Sequence, residues 1–271
     1  MKLKKSIKRL LFVIVVFACM IAVRNIYSEL NAMFNEHDEM PVFKGEKTGL
    51  QYLSYLSTYD QKIANIMKQQ DAYPQILLEM LSRNLDMTDY VLEYKENKGK
   101  VFSNNIGKVY KGNYPLLLQY DTRWGYGMYG DNVIAINGCG PTSVAMVIAG
   151  LTGQNNITPY DVAKFAYNHG HYYDGTSWSL FTEGVKHYGL IGKEVPLSKA
   201  SMINELEQGH PIICSMGKGD FTTTGHIIVI ADVKDGKFII NDSNSKERSE
   251  QLWDYERIEH QIKNLWSFQV G

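Results

Sequence analysis

The chain has 271 residues, of which 44% are hydrophobic and 12% aromatic, with a formal net charge of −1. This composition can bury one substantial core and a smaller element beside it. A nearly neutral chain offers no concentrated basic face, so nucleic acid is not expected as a partner. The three cysteines form no CxxC pair and have no histidine at metal-ligand spacing. We therefore expect neither a metal site nor a cofactor.

The N-terminal segment carries basic side chains followed by an uninterrupted apolar run from Leu10 to Val23. This pattern is typical of a signal peptide or a short membrane anchor, although a full span takes about 20 residues. Because no small-x-small cleavage site precedes Arg24, we expect residues 1–27 to stay as a signal anchor. The positive charges then place the rest of the chain outside the cytoplasm, tethered to the membrane.

A lipidated N-terminus is the alternative to this anchor. Val16-Phe17-Ala18-Cys19 resembles a bacterial lipoprotein cleavage site, which would acylate Cys19. Phe17 and the apolar residues after Cys19 fit that pattern poorly, so the uncleaved anchor is preferred.

Residues 28–47 are mixed polar and predict a linker, and residues 48–99 predict a helical extension. In the extension, apolar residues recur at helical spacing, first at Ile63, Ile66 and Met67, then at Ile76, Leu77, Met80 and Leu81. So short a segment predicts a helical hairpin or trio rather than a large core. Residues 100–112 are a second linker.

Residues 113–271 have the pattern of one α+β domain. Leu116–Leu118 predicts a short buried strand, and a helix with an apolar face follows and ends at Gly153. Strand-like runs come later, at 211–215, 227–233 and 238–241. A helix first and antiparallel strands afterwards is an α+β arrangement.

Cys139 is the candidate nucleophile, in the run Gly138-Cys139-Gly140-Pro141 that leads into this helix. Pro141 fits the first helical position, which puts Cys139 just before the helix N-terminus. The helix dipole and unpaired N–H groups there favour a thiolate. Gly138 and its neighbour allow a substrate backbone to approach closely.

Cys214 has a different context, because it lies in an apolar strand. A core role is expected for it. In an exported protein, a disulfide between Cys214 and Cys139 is the alternative.

His226 is the candidate base, since it opens a strongly apolar strand directly after Gly225, where an imidazole and a glycine can face a cleft. Asp242 is the candidate for orienting that imidazole, with Asn241 and Asn244 as substitutes. The turn Lys234-Asp235-Gly236-Lys237 decides the geometry. A two-residue loop places Asp242 opposite Val229 and turns His226 away, whereas a three-residue loop or an equivalent bulge puts both on one face.

The ordered set Gln119-Tyr120-Asp121, Gly138-Cys139-Gly140-Pro141, Gly225-His226 and Asn241-Asp242-Ser243 resembles the bacteriocin-processing (double-glycine) peptidase-like domains, which are papain-like cysteine peptidases. The resemblance implies a papain-like α+β fold with Cys139 as nucleophile, His226 as base and Asp242 as orienting group. It also implies Gln119 as a donor of the oxyanion hole. Trp178 is expected to line the substrate cleft.

The expected function is therefore an extracytoplasmic thiol peptidase acting on peptide or protein substrates. The insertion between Gln119 and Cys139 is longer than in transporter-linked members of that group, so a Gly-Gly leader substrate does not follow. The same triad would serve a cell-wall peptide amidase or an acyl transferase. A non-catalytic binding module of the same fold is the alternative from another class.

Overall fold

The computed structural model describes Lys4, Ile21, Arg24, Phe43 and residues 45–271. The predicted signal anchor and most of the first predicted linker lie outside the described residues. No helix in this described part of the chain is both long and apolar enough to span a membrane. Residues Glu46–Gly271 form one unit, and all that follows concerns that unit.

The extension contains more helices than the predicted hairpin or trio. Within residues 48–99 the α-helices are α1 Gly49–Leu56, α2 Gln61–Met67, α3 Gln75–Arg83 and α4 Thr88–Asn97, with 3₁₀ turns at Gln70–Ala72 and Leu85–Met87. Asp60 caps α2 by accepting hydrogen bonds from the backbone N–H groups of Lys62 and Ile63. The prediction was short by one helix because α1 has only two buried apolar residues, Leu53 and Leu56.

The core of the extension is shared with the chain that follows. Apolar side chains of α1 to α4 pack in one cluster with Tyr120, Tyr126, Val133 and Ala135. The rings of Tyr90 and Tyr126 stack with centroids 4.4 Å apart, and the Tyr90 hydroxyl donates to the carbonyl of Gly125. Because the four helices and the chain that follows bury apolar side chains against each other, the extension is held against the rest of the unit.

The remaining chain alternates helices with an antiparallel sheet. Its α-helices are α5 Ile134–Asn137, α6 Cys139–Thr152, α7 Pro159–Asn168, α8 Ser179–Thr182, α9 Lys199–Glu207, α10 Lys246–Ser249 and α11 Tyr255–Ile258, with 3₁₀ turns at Gly184–Tyr188 and Glu259–Gln261. Its strands are β1 Met128–Tyr129, β2 Asn132–Val133, β3 Leu190–Glu194, β4 Ile212–Met216, β5 His226–Lys234, β6 Lys237–Asn241, β7 Leu252–Trp253 and β8 Ile262–Val270. β1 and β2 pair separately, and the other strands form an antiparallel sheet in the order β3-β8-β4-β5-β6-β7. The predicted α+β fold is confirmed.

Both faces of the central strands are buried. Ile213 and Val229 pack in the cluster that contains α6. Their neighbours Ile212, Cys214 and Ile228 pack in a second cluster with Met202 of α9. Successive strand residues point to opposite faces, so β4 and β5 read as continuous apolar runs. Cys214 is a core residue, as predicted.

The predicted strand at Leu116–Leu118 is wrong. These residues form no ladder, because the segment runs between two cores. Leu117 is buried in the cluster around α6, whereas Leu118 packs against the cluster of the extension. A three-residue apolar run does not distinguish a strand from such an extended connection.

Candidate active site

Cys139 is the first residue of α6, with Gly138 as the N-cap. This corrects the prediction that the helix begins at Pro141, which is its third residue. A proline is tolerated there because the first N–H groups of a helix have no partner inside it. Cys139 is half-buried, and it and Cys214, the two cysteines that the structure describes, are both free thiols. The alternative of a disulfide between them is therefore wrong.

His226 begins β5, and the hairpin that follows determines what it faces. The turn has two residues, Asp235 and Gly236, with φ of 53° and 75°. Positive φ at both positions is the geometry of a type I′ turn. Of the two alternatives for the loop, the two-residue one is present, and Lys234 pairs with Lys237.

A bulge supplies the shift of register that the turn does not. The pairing of β5 with β6 slips between Ile230 and Asp232, so that Val229 pairs with Asn241. Continued by one residue, this register places Asp242 opposite Ile228, diagonal to His226 on one face. The equivalent bulge named as the alternative is therefore present at Ala231.

The Asp242 carboxylate is fully buried and has three donors. His226 Nε2 lies 2.7 Å from Oδ1, and the backbone N–H of Asn244 donates to the same oxygen at 2.8 Å. Arg248 Nε donates to Oδ2 at 2.6 Å. Asn241, named as a substitute for Asp242, instead donates from Nδ2 to the carbonyl of Tyr114 at 3.0 Å.

These contacts set the charges of the pair. Burial alone would lower the pKa of His226, but the charge of Asp242 and hydrogen bonds to Asp242 and Cys139 raise it to about 10. Burial alone would raise the pKa of Asp242, but His226 and Arg248 hold it below its usual value. The site therefore favours an imidazolium beside a carboxylate.

Cys139 lies on the cleft side of the imidazole. It is close enough to His226 to help raise the pKa of that ring, and both side chains line the same cleft. Because Nε2 faces Asp242, Nδ1 is the ring nitrogen left for the sulfur. The order Asp242–His226–Cys139 gives a thiol next to a base that is itself held by a carboxylate, which is the arrangement that thiol activation requires.

Gln119 is buried beside this series. Its Nε2 donates to the carbonyl of Ala135 at 2.6 Å, and its Oε1 accepts from the hydroxyl of Ser243 at 2.9 Å. The Gln119 backbone N–H also donates to the carbonyl of Ser243 at 2.8 Å. These bonds fix the amide orientation and leave the second Nε2 hydrogen for another acceptor.

A cleft of about 260 Å³ opens beside these residues. Cys139, His226 and Gln119 line it, as does Gly225, where a Cβ would meet no atom within 4 Å. Gly138 and Trp178 do not line this cleft. Gly138 lies against Ile134, where a Cβ would come within 2.5 Å of the backbone, and Trp178 packs edge-on to Trp266 with centroids 5.3 Å apart. Their predicted contact with substrate stays a prediction.

Two parts of this site were missed from the sequence. Arg248, which also lines the cleft, occurs in a polar run whose charges look solvated. The second part is helix α3 of the extension, whose residues Ile76 and Met80 line the cleft. In the sequence, the signal for this was the width of the apolar stripe of the helix, because Ile76 and Met80 flank the buried Leu77 and Leu81.

Among the residues that the structure describes, no group of three or more His, Cys, Asp or Glu side chains is placed to hold a metal ion.

A thiol, an imidazole and a carboxylate in series on an α+β scaffold define a peptidase-like site. Residues 111–269 match the profile of the Peptidase C39 like family, which is more than half of the 271 residues. The chain belongs to this family. None of the curated proteins compared with the chain matches it.

Solved structures similar to this chain include the two that follow. One is the peptidase domain of Streptococcus ComA, described as a bifunctional ABC transporter involved in quorum sensing; it is 19% identical, covers 59% of this chain and 100% of its own, and has a TM-score of 0.42. The other, from Bacillus anthracis and described as a C39-like peptidase, is 15% identical, covers 61% and 98%, and has a TM-score of 0.40. These scores are too low to transfer any activity.

Proposed function

We propose that this chain is a thiol peptidase that hydrolyses peptide bonds, with Cys139 as nucleophile, His226 as base and Asp242 as the orienting group. The observation that best supports this is that His226, held by Asp242 at 2.7 Å, lines the same cleft as Cys139. Membership of a peptidase family adds a peptide as the expected substrate.

The first half of the reaction forms a thioester. The Cys139 sulfur attacks the carbonyl carbon of the scissile bond, with the thiol proton held on His226. The tetrahedral oxyanion is stabilised by the backbone N–H of Cys139 and the second Nε2 hydrogen of Gln119. His226 then gives its proton to the leaving amine as the C–N bond breaks.

The second half of the reaction releases the acid. A water molecule enters, His226 takes one of its protons, and the hydroxide attacks the thioester carbonyl. The C–S bond breaks and releases the acid, which leaves the Cys139 thiolate beside protonated His226, the state in which the reaction began. Throughout, Asp242 holds the imidazole by the 2.7 Å bond to Nε2, so Nδ1 always faces the sulfur.

We also propose that residues 113–271 act outside the cytoplasm, tethered by an anchor at residues 1–27. Support comes from the basic residues that precede the apolar run Leu10–Val23. Protease added to intact cells should then digest the chain. A chain that resists digestion until the cells are lysed would contradict this location.

The peptidase proposal is tested by mass spectrometry of a peptide mixture incubated with the full-length chain in H₂¹⁸O. We expect new C-termini that carry ¹⁸O, because water resolves the thioester. Cys139→Ala should abolish them, whereas Cys214→Ala, which removes the buried thiol, should not. Products joined to an amine, without ¹⁸O, would instead indicate an acyl transferase. A Cys139→Ala variant that still cleaves would refute the proposal.

A further inference from the structure

One face of α3 forms a wall of the active-site cleft. Ile76, Glu79, Met80 and Arg83 line the cleft, and their spacing puts them side by side on one face of the helix. The family match covers residues 111–269, so α3 lies outside it. A segment that is not part of the family domain thus contributes to the site beside Cys139.

Packing of the extension uses only part of this face. Leu77 and Leu81 are 0% exposed and fill the core of the extension, whereas Ile76 is 48% exposed. Met80 and Ile136 are half-buried: each packs partly against the shared core and also lines the cleft. Apolar side chains that converge on a concave site, rather than stand alone on the surface, point to a ligand.

The wall is fixed to the residues that carry the reactive groups. Arg83 Nη1 donates to the hydroxyl of Thr223 at 2.8 Å, in the loop that leads to His226. Asn84 Nδ2 donates to the carbonyl of Asn244 at 2.7 Å, two residues after Asp242. The apolar face of α3 is therefore held in position relative to the site before any substrate binds.

Charged groups on this face already have partners. Arg83 is bonded to Thr223, and the Glu79 carboxylate accepts a hydrogen bond from Gln75 Nε2 at 2.9 Å. A charged side chain of a substrate would lose hydration against the apolar side chains Ile76, Met80 and Ile136, whereas an aliphatic one would cover exposed apolar surface. The surface therefore favours an aliphatic side chain.

We propose that Ile76, Met80 and Ile136 form a subsite that selects an aliphatic side chain close to the scissile bond. This inference rests on the proposed function and adds a substrate preference to it. The extension is then a part of the substrate-binding site, and Ile76 and Met80 determine specificity.

Peptidyl vinyl sulfones test this preference on the full-length chain. The Cys139 thiolate adds to the β-carbon of the double bond, a proton goes to the α-carbon, and the thioether formed is counted by intact mass. Three positions of a tripeptide probe are set in turn to Leu, Gly, Lys or Glu. At one position, we expect Leu to label at least about tenfold faster than the others.

Variants of the wall should remove that preference. Ile76→Asn and Met80→Gln should each lower the ratio of the Leu rate to the Gly rate by about three- to tenfold. The matched control is Leu50→Asn, which changes an exposed apolar residue of α1 that does not line the cleft. This control should leave the ratio unchanged.

Iodoacetamide, which needs no subsite, separates the two ways of failing. If its reaction with Cys139 depends on His226 but no position prefers Leu, or the wall variants keep the preference, the subsite is refuted and the peptidase proposal stands. If Cys139 reacts like a free thiol whether or not His226 is present, the proposed function is refuted, and the subsite with it.

Discussion

Two histidines of this molecule each contact a carboxylate that also binds a cation. His226 and Asp242 are 2.7 Å apart, with Arg248 on the second oxygen at 2.6 Å. His210 Nδ1 and Glu205 Oε2 are 2.9 Å apart, with Lys193 Nζ 3.0 Å from the other oxygen. The distances are similar, although His226 uses Nε2 and His210 uses Nδ1. The first group lies in the cleft beside Cys139, and the second does not line that cleft.

The difference lies in burial and in the third partner. The side chains of His226 and Asp242 are 7% and 0% exposed, against 19% and 12% for His210 and Glu205. Burial strengthens the interaction of the first pair, and the thiol of Cys139 gives its imidazole something to activate. A histidine–carboxylate pair is therefore not a sign of catalysis by itself, and the two groups serve as controls for each other.

The largest expected difference is in stability. Asp242→Ala leaves Arg248 and His226 without their shared carboxylate in a buried place, so we expect a loss of about 3–5 kcal/mol in the free energy of unfolding. Glu205→Ala should cost less, about 1–2 kcal/mol, because Lys193 and His210 are more exposed and stay partly hydrated without it. Urea unfolding of both variants measures this, and equal losses would contradict the comparison.

The stability that His226 contributes should depend on pH in a defined direction. Its pKa is raised to about 10 in the folded chain, so the folded state binds the proton more tightly than the unfolded chain does. The difference in unfolding free energy between wild type and His226→Ala is then full below about pH 6.5 and is lost as the pH rises through about 10. A difference that grows over this range would show that the imidazole is held neutral.

The stability that Asp242 contributes should have the opposite pH dependence. Its pKa is lowered by His226 and Arg248 against the effect of burial, so its contribution is present above about pH 4 and is lost as the pH falls further. Arg248→Met removes a cation that keeps Asp242 ionised. The rate of Cys139 alkylation, which depends on His226 being held by ionised Asp242, should then fall at a higher pH than in wild type. Lys193→Met, its counterpart in the second group, should leave this pH dependence unchanged. An unchanged pH dependence in Arg248→Met would show that Arg248 has no positioning role.

The smallest effect is expected from the second histidine. His210→Ala removes an imidazole that is not near Cys139, so the alkylation rate of Cys139 should change by less than about twofold. The unfolding free energy should fall by about 1 kcal/mol or less. A large loss of Cys139 reactivity in His210→Ala would mean that the two groups are coupled through the sheet.

Cys139, His226 and Asp242 could be found from the sequence because each stands at the end of a regular element, where its type is unusual. Their contact depended on the hairpin register, and there the pattern gave only alternatives. The bulge at Ala231 has no local signal, since an alanine fits either register. Packing of the sheet, rather than the turn, decides it.

The remaining misses have one cause, which is that long-range packing decides them. Arg248 reaches Asp242 from the short helix α10, and the placement of α10 is set by tertiary contacts. The contribution of α3 to the cleft likewise follows from the core that the extension shares with Tyr126 and Val133. Periodicity identified α3 as a helix, but it did not show that Ile76 and Met80 line the cleft.

The measurement that tests the central claim most directly is the pH dependence of iodoacetamide alkylation at Cys139 in the full-length chain, for wild type and His226→Ala. The proposed pair predicts that wild-type Cys139 is alkylated near neutral pH faster than a free cysteine is. In His226→Ala, alkylation should slow near neutral pH and recover only towards about pH 8.5. The same profile in both proteins, rising near that of a free thiol, would contradict activation of Cys139 by His226.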